Sequence, residues 1–314
     1  MSPWNASVPC TIRPTRAPER RTDIGELRTH IDLPSGPASY LTWEPPDPGP
    51  TVVLLHGGGV DNASLSWGGV GPRLAAAGYR VIAPDHPGYG HSPSARLPVT
   101  QERLVAYVGE FVDALELRSY VLGGLSLGGG MTLGHVLDRP ERVTGVMLLG
   151  SYGLTSRLSE GALSGVRQLV TWATVRTGLL GAVTRWVGTN RTAMTMTLKP
   201  LVRDETRLTG ELIDEVMTAA ERPDGFAAFE QWQHDQVLWN RLRTDYTGRL
   251  TALRRPTLLV HGERDTGVPV ARARDAARRI PDSTLKVVAD AGHWVQRDRP
   301  DEVVDAMIGF LRAI

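Results

Sequence analysis

The stretch "GGLSLGGG", residues 123–130, carries five glycines, two leucines and a single serine. Three structures compete for such a run: a phosphate cradle, a flexible hinge, or a tight turn presenting Ser126 as a nucleophile. The flanking residues separate them. "SYVLGGLS" (119–126) reads as a buried strand, and "LGGGMTLGHVLDRP" (127–140) as a helix ending near Pro140. "GLSLG" therefore fits G-x-S-x-G with a strand before it and a helix after it. A turn this sharp strains the serine backbone, and the residues two positions to either side must lack side chains. The following helix start adds unsatisfied N–H groups and the positive end of a dipole. A chance match in a Gly-rich chain is the competing explanation, and the strand–helix context weighs against it. The phosphate reading is weaker. A Walker loop needs G-x-x-x-x-G-K-[ST], and no lysine occurs here. The dinucleotide fingerprint belongs in the first βα unit with an acid about 20 residues on, and this stretch lies far into the chain with a different spacing.

Working outward, short apolar runs alternate with helical patterns. "TVVLLHG" (51–57), "YRVIAPD" (79–85), "VTGVMLLGS" (143–151), "PTLLVHGE" (256–263) and "TLKVVAD" (284–290) read as further strands. Between them, 65–78 reads as one helix-like segment, 99–117 as a helix with Thr100 as N-cap, 270–280 as a helix, and 301–314 as a closing helix. "ELRTHIDL" (26–33) and "ASYLTWEP" (38–45) read as an opening hairpin. Nearly all-apolar strands alternating with helices predict an α/β fold with a mainly parallel, doubly wound sheet. Residues 153–247 are helical throughout and read as an inserted cap. The expected organisation is a flexible arm over 1–22, a core over 23–152 and 248–314, and the cap between them.

In such sheets ligands sit at the carboxyl ends of the strands, so chemistry is sought there. "HGGG" (56–59) follows the first parallel strand. The Gly58 N–H, with Gly59 close behind, and the N–H of Leu127 after the nucleophile would supply two donors for an oxyanion. The alternative is a tight turn that lets the next helix pack. His56 reads as a structural group holding that loop. Asp265, in "RDTGVP", ends another strand and can orient a histidine, or else cap the helix that follows. His293, in "AGHWVQRDRPDEV", ends the last strand. Asp290 competes with Asp265, but it shares one loop with His293, which makes the geometry harder. His86, His91, His135 and His234 read as ordinary, His234 least so because it lies in the cap. The order Ser126, Asp265, His293 is that of one fold and not of the two main serine-protease folds.

On "LLHGGG", "APDHPGYGHS", "GLSLGG", "HGERDTGVP" and "AGHWVQRDRPDEV", the chain resembles α/β-hydrolase-fold proteins across residues 26–314. The resemblance implies Ser126 as nucleophile, His293 as base then acid, Asp265 as orienting acid, and 153–247 as that family's helical cap. It implies a loop at 85–92 that supports the site without doing chemistry. A serine nucleophile suits attack on an acyl carbon, whereas dehalogenases and epoxide hydrolases of this fold use aspartate. "HGGG" with "GHW" also resembles the meta-cleavage-product hydrolases, which split a C–C bond beside a ketone. Those usually carry asparagine before the nucleophile, and here that residue is Leu125. Ester or related acyl hydrolysis is thus the first expectation, C–C hydrolysis the second, and a non-hydrolytic cyclase or binding protein of the same fold the third.

The cap holds Trp172, Trp186, Trp232 and Trp239 with Met194, Met196, Met217, Phe226 and Phe229. Such residues more often form core than pocket, but some must face the cleft. Gly59, Trp232 and Trp294 are the expected pocket residues, around an apolar acyl substrate of modest size. Arg203 or Arg241 could hold a carboxylate, although solvated surface arginine is the simpler reading.

Composition narrows the rest. The chain has 314 residues, 41% hydrophobic and 22% charged, with a formal net charge of +1, so no strong field points to nucleic acid or a membrane surface. Cys10 is the single cysteine, and no metal-ligand spacing occurs, so no metal or cofactor is expected. The N-terminus lacks the apolar core of a signal peptide, and no apolar run approaches the 18 or so residues of a membrane span. The expected location is cytoplasmic, and a homodimer is compatible with this reading.

Overall fold

The computed structural model describes residues 25–159, 161–222 and 226–314. The arm expected over 1–22, Cys10 included, lies outside the described residues.

Apolar runs become strands. The opening hairpin is β1 (Leu27–Leu33) and β2 (Gly36–Trp43). It is followed by β3 (Thr51–Leu55), β4 (Arg80–Pro84), β5 (Tyr120–Leu125), β6 (Val143–Leu149), β7 (Thr257–Gly262) and β8 (Ser283–Val288). These form one eight-stranded sheet in the order β1-β2-β4-β3-β5-β6-β7-β8. β1 and β2 run antiparallel to their neighbours, and β3 to β8 are mutually parallel. β5 and β7 are buried along their whole length, as a sheet covered on both faces requires. β8 departs from the all-apolar expectation: it is an edge strand, half-exposed, and its Lys286 pairs with Glu302 at 3.2 Å. A charged edge discourages pairing with another chain.

The helices are α1 (Ala63–Trp67), α2 (Gly71–Ala76), α3 (Gln101–Ala114), α4 (Leu127–Asp138), α5 (Ser164–Arg176), α6 (Leu179–Thr189), α7 (Arg191–Leu198), α8 (Gly210–Ala220), α9 (Ala227–Gln236), α10 (Val270–Arg279), α11 (Val295–Asp298) and α12 (Pro300–Ala313). Successive strand residues point to opposite faces. Val53 and Leu55 join Tyr107, Phe111 and Met131 in the core under α3 and α4. Val52 and Leu54 join Trp43, Trp67 and Met307 in the core under α1, α2 and α12. Thr100 caps α3, its hydroxyl accepting from the Arg103 N–H at 3.2 Å, a contact worth about 1 kcal/mol.

The single helix expected over 65–78 is two, α1 and α2, parted at Gly68 and Gly69. The second starts close against the sheet: a Cβ on Gly71 would lie 2.4 Å from the Trp43 ring. α5 to α9 all fall between β6 and β7, and the only strand-like pairing among the described residues of this insertion is an isolated bridge, Val237 with Leu242. This helical insertion leaves the sheet at the carboxyl end of β6, the end at which β5 and β7 also deliver their loops.

Candidate active site

Ser126 sits between β5 and α4 with φ +50° and ψ −112°. Such backbone costs a non-glycine residue about 1–3 kcal/mol and persists only where its surroundings hold it. Three backbone bonds do so. The Ser126 N–H donates to Leu149 O at 2.9 Å, and its carbonyl accepts from the N–H groups of Gly130 (3.0 Å) and Tyr152 (2.9 Å). The glycines leave no alternative. A Cβ on Gly124 would lie 2.3 Å from the Gly128 carbonyl, and one on Gly128 would lie 2.3 Å from the Leu55 carbonyl oxygen. Gly129 and Gly130 serve a different contact. They let α4 approach the loop after β6, through Ser151 and Tyr152, and it is Gly128 that faces the sheet.

The loop after β3 is strapped from below. Asp61 accepts from the Gly57 N–H (2.6 Å), the Asn62 N–H (2.8 Å) and the Ser66 hydroxyl (2.7 Å). Complete burial pushes its carboxyl up to about 6 despite these donors. His56 and His86 stack with ring centroids 3.7 Å apart. The His56 Nδ1 lies 2.8 Å from Gly57 O, its Nε2 accepts from the His86 N–H at 3.0 Å, and the His86 Nε2 lies 3.0 Å from His56 O. These partners require a neutral His56 ring protonated on Nδ1, and a proton on Nε2 of His86. Burial lowers both pKa values, that of His56 to about 3. His56 therefore holds the loop, as its position suggested. Gly58 packs under the insertion: a Cβ there would lie 2.5 Å from Phe229 Cε2 and 3.5 Å from a Leu127 methyl.

Asp265 and His293 come from separate strand ends and meet. His293 Nδ1 lies 2.8 Å from Asp265 Oδ2. The other carboxylate oxygen accepts from the N–H groups of Gly267 (2.7 Å) and Val268 (2.9 Å), so the turn that could have been its only role also aims it. Burial alone would raise this carboxyl, but hydrogen bonds from His261 and His293 hold it well below the ordinary range. Asp290 points elsewhere, exposed and paired with Arg264 at 2.7 Å.

Two residues in this assembly escaped the sequence reading. His261, inside β7, has Nε2 at 2.8 Å from Val268 O and 3.2 Å from Asp265 Oδ2, so its N–H bridges the two acceptors. Its position four residues before Asp265 at a strand end was the available signal. Asp298 is buried and accepts from the N–H groups of Gly292 (2.6 Å), Arg203 (3.0 Å) and Asp204 (2.8 Å). It ties the His293 loop to the connection between α7 and α8 in the helical insertion. No pattern in the sequence marks it.

Ser126 and His293 line one cavity of about 310 Å³. The core contributes Gly57, Gly58, Gly59, Val60, Leu125 and Trp294; the insertion contributes mainly apolar side chains, among them Val183, Val187, Met194, Leu198, Val216 and Phe226. Thr184 and Thr197 are the insertion's polar contribution, and among the described residues no lysine or arginine lines the cavity. Gly59 and Trp294 both line this cavity. Trp232 does not: it is buried behind Phe229, stacked on it at 5.5 Å, edge-on to Tyr152 at 4.8 Å, with its indole N–H donating to Gln101 Oε1 at 2.8 Å. An indole N–H with a buried partner favours that site over the apolar cavity. Neither Arg203 nor Arg241 reaches the cavity.

A doubly wound sheet with a strained serine at the β5–α4 turn defines a class, and comparison agrees. Residues 50–300 match the family described as the alpha/beta hydrolase fold. The chain belongs to that family, and it is a hydrolase. It is 29% identical over 270 residues to the 2-hydroxy-6-oxo-6-(2'-aminophenyl)hexa-2,4-dienoic acid hydrolase of Metapseudomonas resinovorans, covering 84% of each chain. It is 28% identical to the 2-hydroxy-6-oxo-6-phenylhexa-2,4-dienoate hydrolase of Comamonas testosteroni, covering 84% of this chain and 88% of that one. Among solved structures, a serine hydrolase involved in carbazole degradation superposes with a TM-score of 0.76 at 25% identity, covering 92% of this chain and all of the other. A thermophilic esterase from Thermogutta terrifontis shares the fold, with a TM-score of 0.69 at 24% identity over 91% of this chain and 98% of its own.

Proposed function

We propose that this protein hydrolyses a neutral, mainly apolar acyl substrate, a carboxylic ester or related acyl compound, through Ser126, His293 and Asp265. With Nδ1 donating to Asp265, His293 keeps its lone pair on Nε2. That nitrogen takes the Ser126 proton as the oxygen attacks the carbonyl carbon. The N–H groups of Leu127 and Gly58 receive the developing oxyanion. Collapse of the tetrahedral species expels the leaving group, protonated by His293, and leaves an acyl-enzyme. Water, deprotonated by His293, then releases the acid and regenerates Ser126. Asp265 holds the imidazole in the required tautomer and stabilises its charged form. The helical insertion over 153–247 acts as the cap that covers and selects the substrate, above a core of 23–152 and 248–314.

The lining of the cavity carries this reading. A substrate bearing a carboxylate would lose its hydration against apolar side chains with no lysine or arginine among the described lining residues. Leu125, immediately before the serine, is buried and lines the same cavity.

C–C hydrolysis of a dienoate is the second reading. The relatives act on such compounds by name, at 28–29% identity over most of the chain. A panel of neutral p-nitrophenyl acyl esters beside 2-hydroxy-6-oxo-6-phenylhexa-2,4-dienoate separates the two. The expected result is a kcat/KM at least about ten-fold higher on the preferred ester. The reverse ranking would transfer the site to C–C cleavage. Failure on both, with no labelling of Ser126 by a fluorophosphonate, would point to a binding or cyclisation role.

A further inference from the structure

The outward surface of the helical insertion is apolar where a solvated helix would be polar. On α5, Leu163 at the N-cap, Val166, Leu169 and Val170 recur at helical spacing, opposite the buried Ser164, Gln168 and Val175. On α6, Leu179, Val183 and Trp186 do the same, opposite the buried Gly181 and Gly188. All seven apolar side chains are between 48% and 62% exposed. Scattered exposed leucines are unremarkable, but apolar stripes on two helices that pack together mark a contact surface.

Charge identifies what the surface meets. From residue 161 to 203 the sequence contains no aspartate or glutamate, and it contains Arg167, Arg176, Arg185, Arg191, Lys199 and Arg203. Arg185 and Arg191 are paired with Glu230 and Asp214 from other helices. Arg167 and Arg176 are exposed on α5 itself, flanking its apolar stripe. The chain as a whole is almost neutral, so this segment concentrates positive charge beside exposed apolar side chains. That combination fits a helix pair lying in a lipid interface, apolar face inward and cations at the headgroups. No described helix is long and apolar enough to cross a membrane, so the contact is peripheral.

We propose that the outward faces of α5 and α6 dock this protein onto an anionic lipid surface. Val183 belongs both to that face and to the lining of the Ser126 cavity, so the docked face borders the cavity wall. The docking does not depend on which bond the site cleaves.

Co-sedimentation of the full chain tests it, with vesicles of phosphatidylcholine alone and of equal parts phosphatidylcholine and phosphatidylglycerol. At low salt the partition coefficient on the anionic vesicles should be at least about ten-fold higher, and high salt should close most of that gap. Val166→Asp with Val170→Asp, and separately Trp186→Asp, should each lower partitioning about ten-fold, while the unfolding temperature stays within about 2 °C because these side chains are exposed. Arg167→Glu with Arg176→Glu should remove the anionic preference. Equal partitioning on both vesicles, or partitioning untouched by the substitutions, would overturn the proposal. So would a solution dimer that the same aspartates dissociate, with no vesicle binding, since the face would then bind a second copy.

Discussion

The two walls of the Ser126 cavity are built under opposite constraints. The core wall consists of residues whose backbone is held atom by atom. Ser126 has three backbone bonds, Asp265 four donors, and the 57–59 loop rests on Asp61 and the His56–His86 stack. The insertion wall consists of large apolar side chains on short helices, whose contribution is shape and dryness. Under the proposed function, such a site separates reaction from selection. Chemistry would depend on a few positions with no tolerance, and substrate choice on many with some tolerance.

Substitutions can sharpen that contrast or break it. The largest effect belongs to the core wall. Ser126→Ala should lower kcat by about 10⁴-fold or more while leaving the fold intact. Retained turnover, measured with the preferred substrate, would remove Ser126 from the mechanism.

Asp265→Asn should lower kcat by about 10²–10⁴-fold, through the wrong histidine tautomer. It also carries a pH signature. The Asp265 carboxyl is held below its ordinary value near 4, so its ionised form contributes stability above that pH, and the contribution is lost as pH falls below it. The variant should therefore be less stable than the parent at neutral pH, and the difference should shrink on acidification below about 4. Unfolding midpoints across that range give the answer, and a constant difference would detach Asp265 from this linkage.

Gly58→Ala probes where the walls meet. The added methyl collides with Phe229, so kcat/KM should fall about 10–100-fold, and Gly58→Ala with Phe229→Ala should recover part of the loss. A double variant no better than the single one would mean that the loop acts independently of the insertion. The smallest effect on rate is expected at Leu198→Ala. Removing this buried lining residue should cost about 2–4 kcal/mol of stability, yet change kcat/KM by less than about ten-fold and shift preference toward bulkier acyl groups. A loss as large as that of Asp265→Asn would erase the distinction between the walls.

The legible part of the molecule follows the same division. Strand–turn–helix around Ser126 can be read from residues alone, because only glycine fits at 124 and 128 and the chain must spell that out. The strand-end positions of Asp265 and His293 were equally visible, since apolar runs announce where each strand stops. The two short helices α1 and α2 were not, because a glycine pair inside an apolar pattern breaks the helix without breaking the pattern. Trp232 could not be told from Phe226 in sequence. Both are large, aromatic and in the insertion, and the partner that draws the Trp232 indole inward is Gln101, 131 residues away.

Local steric rules are written in the chain, so the fold class, the nucleophile turn and the candidate acid and base could be named from residue order. Contacts between distant segments are not. That His261 shares the Asp265 carboxylate, that Asp298 ties the His293 loop to the insertion, and that Trp232 stands behind the cavity were decided by packing. Each depends on which backbone N–H or side chain another strand end or helix brings within about 3 Å, and spacing along one segment does not encode that.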